Sequence, residues 1–335
     1  MKIDRVHFYV EDAIKTRDWF VNNIGFRSIY SNNNGHTQTE AISYNSVFFL
    51  LSSPLNSSSP VADYLQFHPP GIVDVAFQVK NLNSLVTKAE ALGTKILQYP
   101  QNTHKQATIA GWGTLQHTVS EANTVEDKIY RDDAKIVDID HIVLNVPVGQ
   151  LNPAVDFYRA LFGFEIQQTF NIKTKRSGLY SQALIDPSGR VQFNINEPTS
   201  SNSQIQEFLD YNNGAGIQHL ALRSHNLIDT VAQMRDRHIT FLNIPDSYYH
   251  QLKKSSGISE SEWLAIKKQQ ILVHCDRTPP QSLLMQIFTQ PIFDEPTFFL
   301  EFIERRHNAK GFGQGNFQAL FEAVEREQLP KKANN

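Results

Sequence analysis

Cysteine is nearly absent: Cys275 is the only one in 335 residues, which excludes an internal disulfide and any site built from several thiolates. No apolar run approaches the roughly 20 residues that span a bilayer, and Lys2, Asp4 and Arg5 bring charge in too early for a secretory leader. A cytoplasmic protein with no membrane partner is expected. Neither sign of charge dominates. Lys and Arg total 31 against 34 Asp and Glu, a formal net charge of -3, so the basic field that phosphate-backbone binding requires is missing and nucleic acid is not an expected partner. Hydrophobic residues at 40% and charged residues at 19% are ordinary for a folded chain and exclude extensive disorder.

An internal repeat is present. The run Ile3-Asp4-Arg5-Val6-His7-Phe8-Tyr9-Val10 reads like Ile139-Asp140-His141-Ile142-Val143-Leu144-Asn145-Val146, and each is followed by a stretch of helical period that stops at Ile24-Gly25-Phe26 or Phe162-Gly163-Phe164. Glycine there suits a helix C-cap. Farther on, Gly71-Ile72-Val73-Asp74-Val75-Ala76-Phe77 matches Gly216-Ile217-Gln218-His219-Leu220-Ala221-Leu222. Two matched pairs in the same order, at nearly equal offsets, point to duplication. The expected organisation is an α+β protein with an N-terminal domain over 1–119, a polar and acidic linker over 120–136 and a C-terminal domain over 137–335. At its end, Phe317, Leu320, Phe321 and Val324 fall at helical spacing and predict an amphipathic terminal helix.

The two copies differ where chemistry would sit. Arg5 and Asp74 of the first copy align with His141 and His219 of the second. A single histidine in an apolar strand is usually a hydrogen-bonded core residue, but two at matched strand positions of one copy point to a metal. In Phe298-Phe299-Leu300-Glu301-Phe302-Ile303-Glu304-Arg305-Arg306, Glu301 is flanked by apolar residues, where an unpaired carboxylate is very costly without a cation. Glu304 has arginine partners beside it and reads as structural. Two histidines and one carboxylate leave coordination positions open, which suits non-haem Fe(II) oxygenases, and zinc hydrolases use the same residue types.

Other candidates are weaker. Gly311-Phe312-Gly313-Gln314-Gly315-Asn316 lacks the Lys-Ser/Thr of a phosphate loop and reads as a turn or hinge. His225, His238, His250, His274 and His307 lie in polar contexts and read as surface residues. His274 and Cys275 are strand neighbours and point to opposite faces, which argues against a nucleophile pair.

Several blocks in order carry a resemblance along nearly the whole chain: Asp140-His141-Ile142-Val143, Asn196-Glu197-Pro198, Ser203-Gln204-Ile205-Gln206, Gly216-Ile217-Gln218-His219, Leu284-Met285-Gln286-Ile287-Phe288-Thr289, Phe299-Leu300-Glu301 and Gly311-Phe312-Gly313-Gln314-Gly315-Asn316-Phe317. The sequence resembles the 4-hydroxyphenylpyruvate dioxygenase family of the vicinal oxygen chelate superfamily. That resemblance implies tandem domains of paired βαβββ modules, each an open barrel-like mixed sheet with helices outside. It implies one Fe(II) per chain on His141, His219 and Glu301. Substrate-pocket positions would be Ser181, Asn196, Gln204 and Gln286, with aromatic walls at Phe288, Phe299, Phe312 and Phe317. It also implies a homo-oligomer, dimer or tetramer, and conversion of 4-hydroxyphenylpyruvate and O2 to homogentisate and CO2. The terminal helix would then serve as a lid.

Two positions depart from the family pattern. Asn194 stands where a proline is common, and Glu304 with Arg305-Arg306 replaces a common Gln-Arg sequence. A 4-hydroxymandelate synthase would share the triad and substrate, although such synthases typically carry an apolar residue where Asn196 stands. A non-catalytic protein of the same fold that holds a small aromatic ligand is the reading from another class.

Overall fold

Alternation builds the first strand of each repeat. In β1 (Lys2–Tyr9) Val6 and Phe8 are fully buried on one face, while Arg5, His7 and Tyr9 occupy the other. The computed structural model describes residues 1–101, 105–121, 135–173, 178–251, 258–276, 282–313 and 316. The first half adds β2 (Arg27–Asn33), β3 (Thr37–Tyr44), β4 (Val47–Pro54), β5 (Gly71–Val79), β6 (Ile96–Gln98), β7 (Gln106–Ala110) and β8 (Gln116–Glu121). The second half holds β9 (Ile136–Asn145), β10 (Glu165–Lys173), β11 (Gly178–Ile185), β12 (Gln192–Pro198), β13 (Gly216–Ser224), β14 (Leu272–Asp276), β15 (Ser282–Phe288) and β16 (Phe299–Arg306).

The two eight-stranded sheets have the same order, β2-β3-β4-β1-β5-β8-β7-β6 and β10-β11-β12-β9-β13-β16-β15-β14. Each is mixed: β9 pairs parallel with β12 and antiparallel with β13, and β13 pairs parallel with β16. This is the tandem βαβββ architecture that the family resemblance implies. The helices are α1 (Ala13–Trp19), α2 (Pro60–Leu65), α3 (Leu82–Ala91), α4 (Leu151–Phe162), α5 (Gln204–Tyr211), α6 (Leu227–Asp236), α7 (Asp246–Gln251) and α8 (Glu260–Gln269). The predicted glycine stops are present. Gly25 ends the π-helical turn Phe20–Ile24 that follows α1, and Gly163 ends α4, both in the left-handed conformation.

A β-bulge recurs in both copies. Asp4 is the extra residue between Ile3, opposite Phe77, and Arg5, opposite Ala76. Asp140 is the extra residue between Ile139, opposite Leu222, and His141, opposite Ala221. The two sheets share one continuous apolar core. Phe8 meets Phe298 edge-on at 5.3 Å, and the buried His117 of β8 lies 3.0 Å from the Tyr158 hydroxyl of α4.

Ordered strand reaches into both ends of the stretch expected to be linker. Ser120 and Glu121 continue β8 by pairing with Gln78 and Val79, and Ile136 already belongs to β9. Polarity misled the boundary, because the end of a strand can carry solvent-facing polar side chains. The rest of that stretch, 122–134, lies outside the described residues, as do Phe317 and the remainder of the expected terminal helix.

Candidate metal centre

Three ligand atoms converge without protein partners. The bulge at Asp140 lets two consecutive side chains cooperate, which a regular strand would forbid. His141 Nδ1 lies 2.9 Å from Asp140 Oδ1, leaving Nε2 to face Glu301 Oε2 at 3.3 Å. His219, on the neighbouring β13, places Nε2 at 3.6 Å from the same oxygen. His141 Nε2, both ring nitrogens of His219 and Glu301 Oε2 are buried without a hydrogen-bond partner. One atom from each of the three residues falls within 4.8 Å of the others. Each orphaned polar atom costs about 1–3 kcal/mol if nothing satisfies it, so the donor set fits a cation bound between them.

The surroundings favour positive charge at this point. Burial works against protonation of His141, but the Glu301 carboxylate and the Asp140 hydrogen bond outweigh it and hold the imidazole up at about 9. Burial and the neighbouring His141 keep His219 well below the ordinary histidine value, in the neutral form a metal requires. Burial would also raise Asp140, yet Arg305 and His141 together hold its carboxyl well below the usual carboxylate range.

Glu301 is held from its other oxygen. Gln286 Nε2 donates to Glu301 Oε1 at 2.9 Å and to the Phe312 carbonyl at 3.3 Å, and Gln286 Oε1 accepts from Asn316 Nδ2 at 2.8 Å. Gln286 was expected to face substrate. Its amide is instead engaged on both ends by protein, so it holds a ligand and the glycine turn. Gly313 is required for that approach: at φ +66° it lies so close that a Cβ would sit 2.2 Å from Gln286 Oε1.

Beside the triad a narrow slot is lined by Phe170, Ile172, Leu179, Ser181, Asn196, Gln204, Ile205, Gln218, His219 and Phe299. Ser181 of β11 and Asn196 of β12 stand opposite each other, and Asn196 Nδ2 donates to Asn145 Oδ1 at 3.2 Å. Gln204 opens α5, which lies over the slot. The Phe299 ring stacks on His219 at 4.7 Å and 18°, while Phe312 meets His141 edge-on at 5.1 Å. Phe288 packs behind, against Phe299 and His219. Phe317 lies outside the described residues.

Sequence reading missed five lining residues: Phe170, Ile172, Leu179, Ile205 and Gln218. Ile205 and Gln218 had a signal, since they adjoin Gln204 and His219 in the motif blocks; the other three look like ordinary strand residues. Among the expected surface histidines, His225, His238, His274 and His307 are exposed. Glu304 is structural: it accepts from Arg306 Nε at 2.5 Å, one of the two arginines beside it, and from the Leu227 amide at 2.6 Å, whereas Arg305 turns to Asp140.

Among the described residues the first sheet has no such triad. There Arg5 pairs with Asp4, and the Asp74 carboxylate accepts from the Thr118 amide and hydroxyl at 2.8 and 2.5 Å. Thr118 stands two residues past the Asp74–Gln116 pair, as Glu301 stands two past His219–Phe299. A wider cavity of about 950 Å³ between the two halves, lined by Arg5, Arg27 and Tyr30 of the first and Ile136, Met234 and Arg237 of the second among others, contains none of the three ligand residues.

Comparison with known proteins agrees with this geometry. The glyoxalase/bleomycin resistance protein/dioxygenase superfamily matches residues 138–256. The 4-hydroxyphenylpyruvate dioxygenase of Yarrowia lipolytica is 32% identical, covering 98% of this chain and 92% of that protein. That of Dictyostelium discoideum is 32% identical over 97% of each chain. A variant of 4-hydroxymandelate synthase from Streptomyces coelicolor superposes with a TM-score of 0.86 at 26% identity, covering 98% of this chain and 99% of that one. A two-sheet fold of paired βαβββ modules, a buried His-His-Glu group in the second sheet and full-length similarity together place the chain in the 4-hydroxyphenylpyruvate dioxygenase family of the vicinal oxygen chelate superfamily.

Proposed function

We propose that this protein oxidises 4-hydroxyphenylpyruvate with O2 to homogentisate and CO2, with one Fe(II) per chain held by His141, His219 and Glu301. The observation that carries the reading is the convergence of three unpartnered, buried ligand atoms next to an apolar slot with neutral polar ends. Ferrous iron supplies the redox chemistry that lets O2 react with a 2-oxo acid able to chelate it. Both oxygen atoms are retained in the products, one entering the carboxyl group left after loss of CO2 and the other the ring. No separate 2-oxo acid is consumed.

The chain's own residues bind, orient and exclude water. Phe170, Ile172, Leu179 and Phe299 form walls that admit an aromatic ring and keep the site dry. Ser181, Asn196, Gln204 and Gln218 offer hydroxyl and amide groups to a phenol without adding charge. Asp140 fixes the tautomer and plane of His141, and Gln286 fixes the Glu301 carboxylate.

A second reading, benzylic hydroxylation to 4-hydroxymandelate, draws support from the Streptomyces synthase structure. Asn196 at the slot favours ring hydroxylation, because an amide there can hold the ring in place. The test is a product chromatogram from anaerobically Fe(II)-loaded protein mixed with 4-hydroxyphenylpyruvate and then air. Homogentisate as the main product supports the first reading and 4-hydroxymandelate the second. Stoichiometric iron without substrate-dependent O2 uptake would overturn both in favour of a binding protein.

A further inference from the structure

One guanidinium touches both the metal centre and the turn that covers it. Arg305, at the end of β16, donates from Nε to Asp140 Oδ2 at 2.8 Å and from Nη2 to Asp140 Oδ1 at 2.7 Å. That second oxygen is the one bonded to His141 Nδ1. Its remaining nitrogen, Nη1, donates to the carbonyls of Ala309 at 3.1 Å and Gly311 at 2.7 Å. The guanidinium carbon lies 5.9 Å from the Phe312 ring, which presses edge-on against His141. Arg305 and Asp140 are 10% and 2% exposed, so water does not substitute for these bonds.

We propose that Arg305 is a positioning residue that couples the seating of the Ala309–Gly313 turn to the orientation of His141, so that metal binding and closure of the turn reinforce each other. The coupling runs through a rigid fork. Four N–H bonds in one plane fix the Asp140 carboxylate relative to two backbone carbonyls, and a lysine ammonium cannot reproduce that geometry. A turn that lifts removes the anchors of Arg305 and with them the plane of Asp140, leaving His141 free to rotate. Conversely, a metal on His141 Nε2 fixes the ring, the carboxylate and the fork in sequence. This inference rests on the triad being a metal site.

The structure supplies its own control. Arg223 makes the same kind of paired contact with Asp138, two residues before Asp140 on the same strand, but Asp138 has no hydrogen bond to a ligand. The experiment compares Arg305→Lys with Arg223→Lys, using Co(II) as a spectroscopic probe and anaerobic Fe(II) for affinity. Arg305→Lys should weaken metal binding about ten- to a hundredfold, change the Co(II) ligand-field spectrum and speed hydrogen exchange of amides 309–313. Arg223→Lys should leave all three unchanged. Loss of thermal stability in Arg305→Lys with unaltered affinity and spectrum would overturn the proposal in favour of a purely structural ion pair.

A measurement on the unaltered protein guards against a variant that fails to fold. Metal binding should slow exchange of amides 309–313, and no change there would overturn the coupling. The metal reading itself is tested separately by His219→Ala, which lies outside the fork. If His219→Ala binds metal as well as the parent protein, the triad is wrong. If it loses metal while Arg305→Lys does not, only the coupling fails.

Discussion

The Gln286 amide donates to Glu301 Oε1 at 2.9 Å and has its own oxygen engaged by Asn316, so one ligand carboxylate is held by a neutral group that can neither repel the metal nor compete for it. Replacing Gln286 with Leu leaves Glu301 Oε1, the Phe312 carbonyl and the Asn316 amide short of partners. We expect a loss of about 1–3 kcal/mol of stability from these buried groups, read by denaturant titration, together with weaker iron binding at unchanged stoichiometry.

The three ligands should behave unlike their counterparts in the first sheet. His141→Ala, His219→Ala and Glu301→Ala should each abolish turnover and sharply lower bound iron. Arg5→Ala and Asp74→Ala should keep one iron per chain, because their side chains bind Asp4 and Thr118. Iron analysis after desalting decides this, and full occupancy in Glu301→Ala would remove that residue from the set.

Asn196 is expected to govern where oxygen is delivered. Asn196→Leu preserves size and removes the amide, so turnover should fall about tenfold, near 1.4 kcal/mol of transition-state stabilisation, or part of the product should shift to 4-hydroxymandelate. Unchanged rate and product, read by chromatography, would take Asn196 out of the substrate contacts.

Acid should loosen the junction between the two sheets. Burial lowers His117 to about 4, although its bond to the Val75 carbonyl works the other way, and its Nε2 faces the Tyr158 hydroxyl. The unfolded chain, with a histidine near 6.5, binds more protons than the folded one between these values. Stability contributed by neutral His117 is therefore complete above about pH 6.5 and is lost as pH falls toward 4. Calorimetry should show a melting temperature that drops over this window, with a shallower slope in His117→Gln. Equal slopes would assign the acid sensitivity to other groups.

The duplication and the ligand triad were legible because they depend on residue order: matched blocks fix the strands, and period two fixes the face of Glu301. What lay beyond reach depends on pairing across the sheet. Glu304 stands beside Arg305 and Arg306 and pairs with Arg306 as its neighbours suggest, yet nothing in their order shows that Arg305 crosses to Asp140 or that the Leu227 amide at the α6 N-terminus takes the second Glu304 oxygen. Gln286 was recognised as belonging to the site, but its direction was not, since spacing says nothing about whether an amide meets a ligand or a carboxylate. Phe170, Ile172 and Leu179 were hidden for a simpler reason: an apolar wall of a slot and an apolar wall of a core have the same composition.

Asp4 and Asp140 occupy the same bulge in the two halves, so the kinked strand with its acid is common to both copies. At the metal-facing positions three exchanges separate the halves: Arg5 for His141, Asp74 for His219 and Thr118 for Glu301. Around the bulge the metal-facing half and the scaffolding half thus differ by side chains on a shared strand order, while α7 and α8 are added only farther along the second half. One module thus serves both as a structural partner and as a metal-facing one, and the aspartate of its first strand answers an arginine in the first and a histidine in the second.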